Sequence, residues 1–182
     1  MSQPYHPPLF IEGKNRDFSH LEPFHIDIDS VKAGKILHIH VRFTSHCFTK
    51  QYDVATHPTD EPILRDAGGY PRSFCPTRHD LSLRIPSLIR ALNHPKATVR
   101  QTTEERNWLH SMTVHEPDGK YHVFFELRRA PLAARHLQDL NLVVESAYPR
   151  DSTRHEPRTR GSMNFILLCG KVHKGEPFTT RR

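Results

Sequence analysis

The chain has 182 residues, of which 36% are hydrophobic, and a net charge of +6 with histidine counted as neutral. That length suits a single domain with a real hydrophobic core, and no apolar run is long enough for a transmembrane helix. Three cysteines argue against a disulfide framework, and the N-terminus lacks the pattern of a signal peptide. We therefore predict a cytoplasmic protein that does not enter membranes. Its basic balance favours RNA or another nucleic acid as partner, although many basic proteins bind nothing charged.

The first third of the chain predicts an arm, a hairpin and a loop. Residues 1–22 are rich in proline and charge and show no periodicity, which predicts a flexible N-terminal arm. Residues 24–28 and 36–48 alternate between apolar and polar side chains and are separated by a turn sequence, so they predict a β-hairpin. Residues 51–72 are polar and rich in turn formers, which predicts a long loop.

A helix is predicted next. Five apolar side chains share one helical face, at the spacing i, i+4, i+7, i+8 and i+11: Leu81, Ile85, Leu88, Ile89 and Leu92. Pro86 cannot lie inside an unbroken helix, so the helix either begins near it or bends there.

The apolar period then changes from 3.6 to 2. Strands are predicted at residues 97–102, 108–114, 121–127, 140–144 and 163–169. The second and third of these form a hairpin around residues 116–119, and residues 130–139 form a connection with a helical turn. A basic loop covers 149–162 and a basic tail 171–182. Adjacent predicted strands have no crossover helices between them, so they should pair antiparallel. We therefore predict that residues 23–170 form one α+β domain, an antiparallel sheet of about five to six strands with one main helix packed on it.

The segment 36–48 carries the best functional signal. Read as one strand, it directs Leu37, Ile39, Val41 and Phe43 to the core. The opposite face then holds three imidazoles and a guanidinium, about 7 Å apart: His38, His40, Arg42 and His46. Metal-independent cleavage of RNA needs a base, an acid and a cation for the phosphorane charge, and this face could supply all three. A solvated face with its histidines bonded to nearby carbonyls is the structural alternative.

The same histidines allow a metal alternative. His38 and His40 form a His-x-His pair, a common half-site for zinc or iron, and His46 or His57 could be the third ligand. On a continuing strand the side chain of Cys47 would point to the core with Phe43, away from the histidines. No Cys-x-x-Cys or His-Glu-x-x-His spacing is present. The main prediction therefore has no cofactor.

Three further groups are candidates for substrate contacts. Arg78 and His79, just before the predicted helix, suit a phosphate, and Arg72 could turn toward the same face. Tyr148, at a strand end, could position a phosphate or stack on a base, while Ser146 is expected to face the core and Glu145 to face away. Basic side chains in the loop suit phosphate contacts that carry no sequence information: Arg150, Arg154, Arg158 and Arg160.

Two resemblances follow from these residues. Segments 40–48 (HVRFTSHCF), 74–82 (FCPTRHDLS) and 144–151 (VESAYPRD) resemble the landmarks of an uncharacterised family of small proteobacterial proteins, which implies no activity. An Arg-His pair opening a helix, followed by antiparallel strands and a closing Tyr, is similar in order to the barnase/EndoU/colicin/RelE-like ribonuclease domains. That second resemblance implies metal-independent RNA cleavage by His, Arg, Ser or Thr, and Tyr side chains on the sheet.

The sequence therefore predicts a small toxin-like endoribonuclease. His40 and His46 would share the acid and base roles, and Arg42 and Arg78 would hold the phosphate. Substrate contacts would come from His38, Arg72, His79, Tyr148, Arg150 and Arg154. The alternatives are a non-enzymatic module that binds nucleic acid or an acidic protein, and a metal-binding protein that uses His38, His40 and His46.

Overall fold

A curled seven-stranded sheet forms the centre of the protein in the computed structural model, which describes residues 3–55, 63–102, 109–116, 119–150 and 157–177. Its strands are β3 (Phe24–Ser30), β4 (Lys35–Phe43), β8 (Thr98–Thr102), β9 (Leu109–Glu116), β10 (Gly119–Arg129), β11 (Leu140–Pro149) and β12 (Thr159–Asn164). The smaller strands are β1 (Leu9–Ile11), β2 (Lys14–Arg16), β5 (Thr49–Gln51), β6 (Leu64–Arg65) and β7 (Pro71–Phe74). The helices are α1 (Pro76–Ser82), α2 (Ile85–Ala91) and α3 (Phe165–Lys174).

The α+β class is confirmed, whereas the predicted strand and helix counts match only roughly. The strand order of the main sheet is β12-β8-β9-β10-β11-β4-β3. The predicted hairpins are present as β3–β4 and β9–β10. One neighbouring pair, β11 and β4, is parallel rather than antiparallel. This pair attaches the N-terminal hairpin to strands that lie about a hundred residues later in the chain.

Alternation along the strands builds the core. The inward side chains of β4 are fully buried, as their spacing predicts, and so are those of β11 that precede Glu145. Ile85, Ile89 and Leu92 of the predicted helical face are buried too. The helix is broken between α1 and α2, and Pro86 lies in the first turn of α2, where its missing N–H costs nothing.

The last predicted strand is wrong beyond Asn164. Strand β12 ends there, and the apolar run that follows is the start of α3. The side chain of Asn164 caps this helix by accepting the N–H of Leu167 at 3.1 Å, and Gly175 ends it with φ of 70°. A short apolar run does not distinguish a buried strand from a buried helix by period alone. The predicted tail, 171–182, therefore begins inside a helix.

The N-terminal segment is not a loose arm. Strands β1 and β2 pair as a small hairpin, and Phe18 and Leu21 are fully buried. The ring of Phe18 packs against Phe48 with centroids 4.2 Å apart.

The segment 51–72, predicted as one long loop, contains strand β6 and the first residues of β7. These two strands pair with β5 in a three-stranded sheet of order β5-β7-β6. Within the described ranges, no helix has the length and apolar character needed to cross a bilayer.

Candidate functional site

The predicted row of histidines divides in two because β4 is shorter than the alternating segment. The strand ends at Phe43, and a 3-10 turn over Ser45–Cys47 follows. Thr44 begins this turn, and its side chain accepts the N–H of His46 at 3.2 Å. His38, His40 and Arg42 therefore stay on the outer face of β4, whereas His46 belongs to the turn.

His46 lines a pocket of about 680 Å³. The other ionisable side chains in its wall are His6, Arg65, Asp66 and Glu145. Aliphatic and small polar side chains complete the wall, together with the aromatic residues Tyr5, Phe43, Phe48 and Tyr70. The volume lies in the range of small-molecule sites, which combine apolar walls with a few polar groups.

A hydrogen bond fixes the imidazole of His46. Its Nε2 lies 3.0 Å from Oδ2 of Asp66, while Oδ1 of Asp66 accepts the backbone N–H groups of Gly68 and Tyr70, both at 3.0 Å. An acceptor carboxylate at Nε2 places the proton on that nitrogen and makes Nδ1 the basic position. The loop that contains Asp66 thus sets both the orientation and the tautomer of His46.

The electrostatic environment keeps this imidazole neutral. Burial lowers the pKa of His46 below 6.5, and the charges of Arg72 and Arg78 act in the same direction against the opposing effect of Asp66. Burial raises the pKa of Asp66, but the hydrogen bonds from His46, Tyr70 and Gly68 outweigh it, so the net shift is downward. At neutral pH the pair is therefore a neutral imidazole beside a carboxylate.

Two predicted phosphate ligands instead support the backbone behind His46. Arg72 is buried, and its Nε and Nη2 donate to the side-chain and backbone oxygens of Thr49 at 3.1 and 3.2 Å. Arg78 donates through Nη1 to the carbonyls of His46 and Thr49 at 3.2 and 2.7 Å, and its guanidinium lies 5.4 Å from the centroid of the Tyr148 ring. Neither arginine is among the residues that line the pocket.

The remaining predicted contacts lie elsewhere. His79, inside α1 rather than before it, packs edge-on against Phe18 and bonds the carbonyl of Asp17 at 3.1 Å. The ring of Tyr148 stacks on that of Phe124 at 5.2 Å. Arg150 follows β11, and its N–H donates to the carbonyl of Lys120 at 2.6 Å. Arg154 and His57 lie outside the described residues.

The outer face of β4 forms a separate cluster with β3. His38 pairs with Asp27 at 2.7 Å, and the ring of His40 stacks on that of His25 with centroids 4.8 Å apart. Burial, followed by the charges of His25 and Arg42, lowers the pKa of His40. Among the described residues, no group of three His, Cys, Asp or Glu side chains is arranged to hold a metal ion. The metal alternative stays a prediction.

Glu145 reaches the pocket because of a β-bulge that the sequence prediction missed. Strand β11 pairs Val144 with Phe125 and Ser146 with Phe124, so Glu145 is an extra residue in the ladder. After the bulge Ala147, not Ser146, faces the core and is fully buried. The expected orientation of Ser146 was therefore wrong. The three-residue spacing between the apolar Val144 and Ala147 was the available signal.

The fold and pocket define an α+β protein with a histidine–carboxylate pair and a further glutamate in a largely apolar cavity. The chain belongs to the YjaZ family, whose model matches residues 8–173. No curated protein and no solved structure gives a significant match. The family match agrees with the resemblance to a family of small proteins. The three sequence landmarks and the likeness to ribonuclease domains stay predictions.

Proposed function

We propose that the pocket beside His46 is the active site of a metal-independent endoribonuclease. The observation that supports this most is the His46–Asp66 pair, with Nε2 and Oδ2 3.0 Å apart, in the same pocket as Glu145. A neutral imidazole oriented by a carboxylate is a suitable general base, and a second carboxyl group can serve as general acid.

The reaction can be written with these two groups. Nδ1 of His46 accepts the proton of a ribose 2′-hydroxyl as that oxygen attacks phosphorus. The bond from phosphorus to the 5′-oxygen breaks, and the leaving oxygen takes a proton from the protonated form of Glu145. The products are a 2′,3′-cyclic phosphate and a 5′-hydroxyl end. Exchange with solvent then restores both groups.

Arg65 supplies the cation in this arrangement. It lines the same pocket, and its Nη1 donates to the carbonyl of Gly69 at 2.8 Å, which ties it to the Asp66 loop. A guanidinium near the phosphoryl oxygens stabilises the charge that develops in the transition state. In this proposal Arg72 and Arg78 are positioning residues. Arg78 bonds the carbonyl of His46, Arg72 bonds Thr49, which follows the turn, and both charges lower the pKa of His46.

The pocket walls suit an unpaired nucleotide. Tyr5 and Tyr70 are both exposed aromatic side chains at the pocket, and unstacked bases of single-stranded RNA bind by stacking on such rings. Strand β4 ends at Phe43, and both Phe43 and the next residue, Thr44, line the pocket. His40 and Arg42 therefore lie on a surface that leads to the pocket, where they would contact RNA rather than perform acid–base chemistry.

The test is RNA cleavage in the presence of EDTA. We expect 2′,3′-cyclic phosphate products from the wild type, and a loss of at least a hundredfold in rate in His46→Gln and in Glu145→Gln. His136→Gln, which changes an exposed histidine outside the pocket, is the matched control and should cleave at the wild-type rate. The acid limb of the rate profile should have its midpoint below pH 6.5, because the base must be neutral and the pKa of His46 is lowered.

The same assay separates the alternatives. Cleavage that persists in His46→Gln, or that requires an added divalent metal, would refute the proposed mechanism. Salt-dependent binding of RNA without any cleavage would instead favour the non-enzymatic binding module.

A further inference from the structure

Three basic side chains on the outer face of β3 and β4 form a group that we call the outer cluster: His25, His40 and Arg42. Among the described residues, these three side chains take part in no hydrogen bond and no ion pair. Their neighbours differ in this respect, because His38 is bonded to Asp27 and the guanidinium groups nearer His46 donate to backbone carbonyls. The outer cluster therefore has donors to offer a ligand.

The pairing of the two strands brings the cluster together. His25 lies directly opposite His40 in the antiparallel ladder, and their rings stack with centroids 4.8 Å apart and planes at 22°. Arg42 lies on the same face, two residues and about 7 Å further along β4. Burial lowers the pKa of His40, and the charges of His25 and Arg42 lower it further, which places all three groups within electrostatic reach of one another.

The donors of the cluster are accessible from solvent. His25 is exposed, and His40 and Arg42 are partly exposed. Among the described atoms, Nε of Arg42 is buried without a partner, whereas its terminal amino groups and the ring nitrogens of His40 are not closed off in this way. A ligand on the outer face can therefore reach two amino groups of Arg42 and the edges of both imidazoles.

Two carboxylates flank the cluster, and each is already paired. Asp27 is bonded to His38 at 2.7 Å, and Glu126 of β10 forms an ion pair with Arg128. The row that contains His40 continues through the uncharged Asn141 of β11. Like charges directly opposite each other destabilise a sheet, so protonation of the stacked rings is unfavourable without an anion. The ligand that suits this surface is therefore an anion.

The position of the cluster indicates which anion. Arg42 immediately precedes Phe43 and Thr44, which line the pocket of His46, although no member of the cluster lines that pocket itself. A ligand that occupies both places has to extend from the pocket across the open face of the sheet. A single strand of nucleic acid does so with a phosphate at every nucleotide, and phosphate oxygens accept charge-assisted hydrogen bonds from guanidinium and imidazolium groups.

We propose that His25, His40 and Arg42 form a subsite for the backbone phosphate of a nucleotide that neighbours the one in the pocket. Arg42 donates through its terminal amino groups, and the two imidazoles donate ring N–H groups to the same phosphate. That the strand is RNA rests on the proposed function, whereas the phosphate contact can be tested without cleavage. A phosphate favours the protonated imidazoles, so binding strengthens as the pH falls.

The experiment measures fluorescence anisotropy of a labelled oligothymidylate DNA, which has no 2′-hydroxyl and cannot undergo the proposed cleavage. We expect the affinity to fall about fivefold to tenfold in Arg42→Gln and in the double variant His25→Gln/His40→Gln. The salt slope of Arg42→Gln should be smaller by about 0.7, the value for one phosphate contact on a single strand. Lys174→Gln is the control, since it removes an exposed charge from α3, which packs on the opposite face of the sheet, and it should bind like the wild type.

The pH dependence is measured in His46→Gln, which lacks the pocket imidazole. Lowering the pH from 7.5 to 6.0 should strengthen binding severalfold, and much less once His25 and His40 are also replaced. Because His25 is exposed, His25→Gln alone should unfold at the same temperature as the wild type and still bind more weakly.

Unchanged affinity in Arg42→Gln and in the double histidine variant, or equally tight binding of polyglutamate, would overturn the subsite. If oligothymidylate binds in the expected pattern but RNA is not cleaved, the subsite stands and the proposed nuclease activity fails. If RNA is cleaved in EDTA while the variants bind and cleave like the wild type, the nuclease activity stands and the subsite fails.

Discussion

Replacing Gly170 by alanine tests how α3 packs on the hairpin β3–β4. Gly170 is buried in the helix where it crosses the turn after β3. A Cβ added to it would lie 2.6 Å from Cβ of Lys32 and 2.7 Å from Oγ of Ser30. Carbon atoms in favourable contact are about 3.5–4.0 Å apart, so the overlap is about 1 Å. Cβ of Lys32 is attached to the backbone and cannot turn away.

Two opposing effects set the size of the change. Alanine favours the helical backbone over glycine by about 1 kcal/mol, which alone would stabilise the variant. Overpacking of a well-packed site costs about 1–3 kcal/mol. Displacement of Ser30 would also strain the bond from the N–H of Ala33 to its Oγ, 3.2 Å long and worth about 1 kcal/mol. We therefore expect the free energy of unfolding to fall by about 1–3 kcal/mol.

Urea unfolding followed by circular dichroism measures this change directly. The melting temperature should fall by about 2–4 °C for each kcal/mol lost in a chain of this size. Lys32→Gly combined with Gly170→Ala removes two of the three overlapping atoms and should recover part of the loss. If Gly170→Ala is as stable as the wild type, or more stable, α3 does not lie against the turn in the way described.

Two further predictions concern pH and thiol chemistry. Burial is the main cause of the lowered pKa of His6, His20 and His46, so the unfolded chain binds protons more tightly, and the free energy of unfolding should decrease as the pH falls below about 6.5. Urea unfolding at pH 7.5 and 5.5 checks this, and equal stability at both values would contradict it. Burial raises the pKa of Cys47 to about 12 and raises that of Cys169 as well, so a thiol reagent at pH 8 should label only Cys75 quickly in the native protein. Rapid labelling of two or three thiols would show that the core is more open than described.

Much of the architecture follows from local patterns. Two patterns were enough to predict both hairpins and the helical region: the alternation along β4, β10 and β11, and the apolar face of residues 81–92. The pattern failed where a local side chain decided the outcome. Asn164 caps a helix in a run that would also fit a strand, and the turn after Thr44 ends β4 early.

The composition of the candidate site depends on long-range contacts that no local pattern contains. Asp66 lies in a segment that reads as a polar loop, and only the fold places it beside His46, twenty residues earlier. Glu145 reaches the pocket through a bulge, which changes which side chains face the core. Arg72 and Arg78 were expected at a phosphate because of their charge, yet backbone carbonyls use their donors.

The parallel pairing of β4 with β11 has a consequence for synthesis on the ribosome. Thr44 bonds to Glu145, its partner in space, across 101 residues of chain. At translation rates of about 5–20 residues per second, the first hairpin emerges some 5–20 s before the strand that completes its sheet. During that interval one edge of β4 has no neighbour. Chaperone demand, and the yield of correctly folded protein, should therefore depend on how fast the middle of the message is translated.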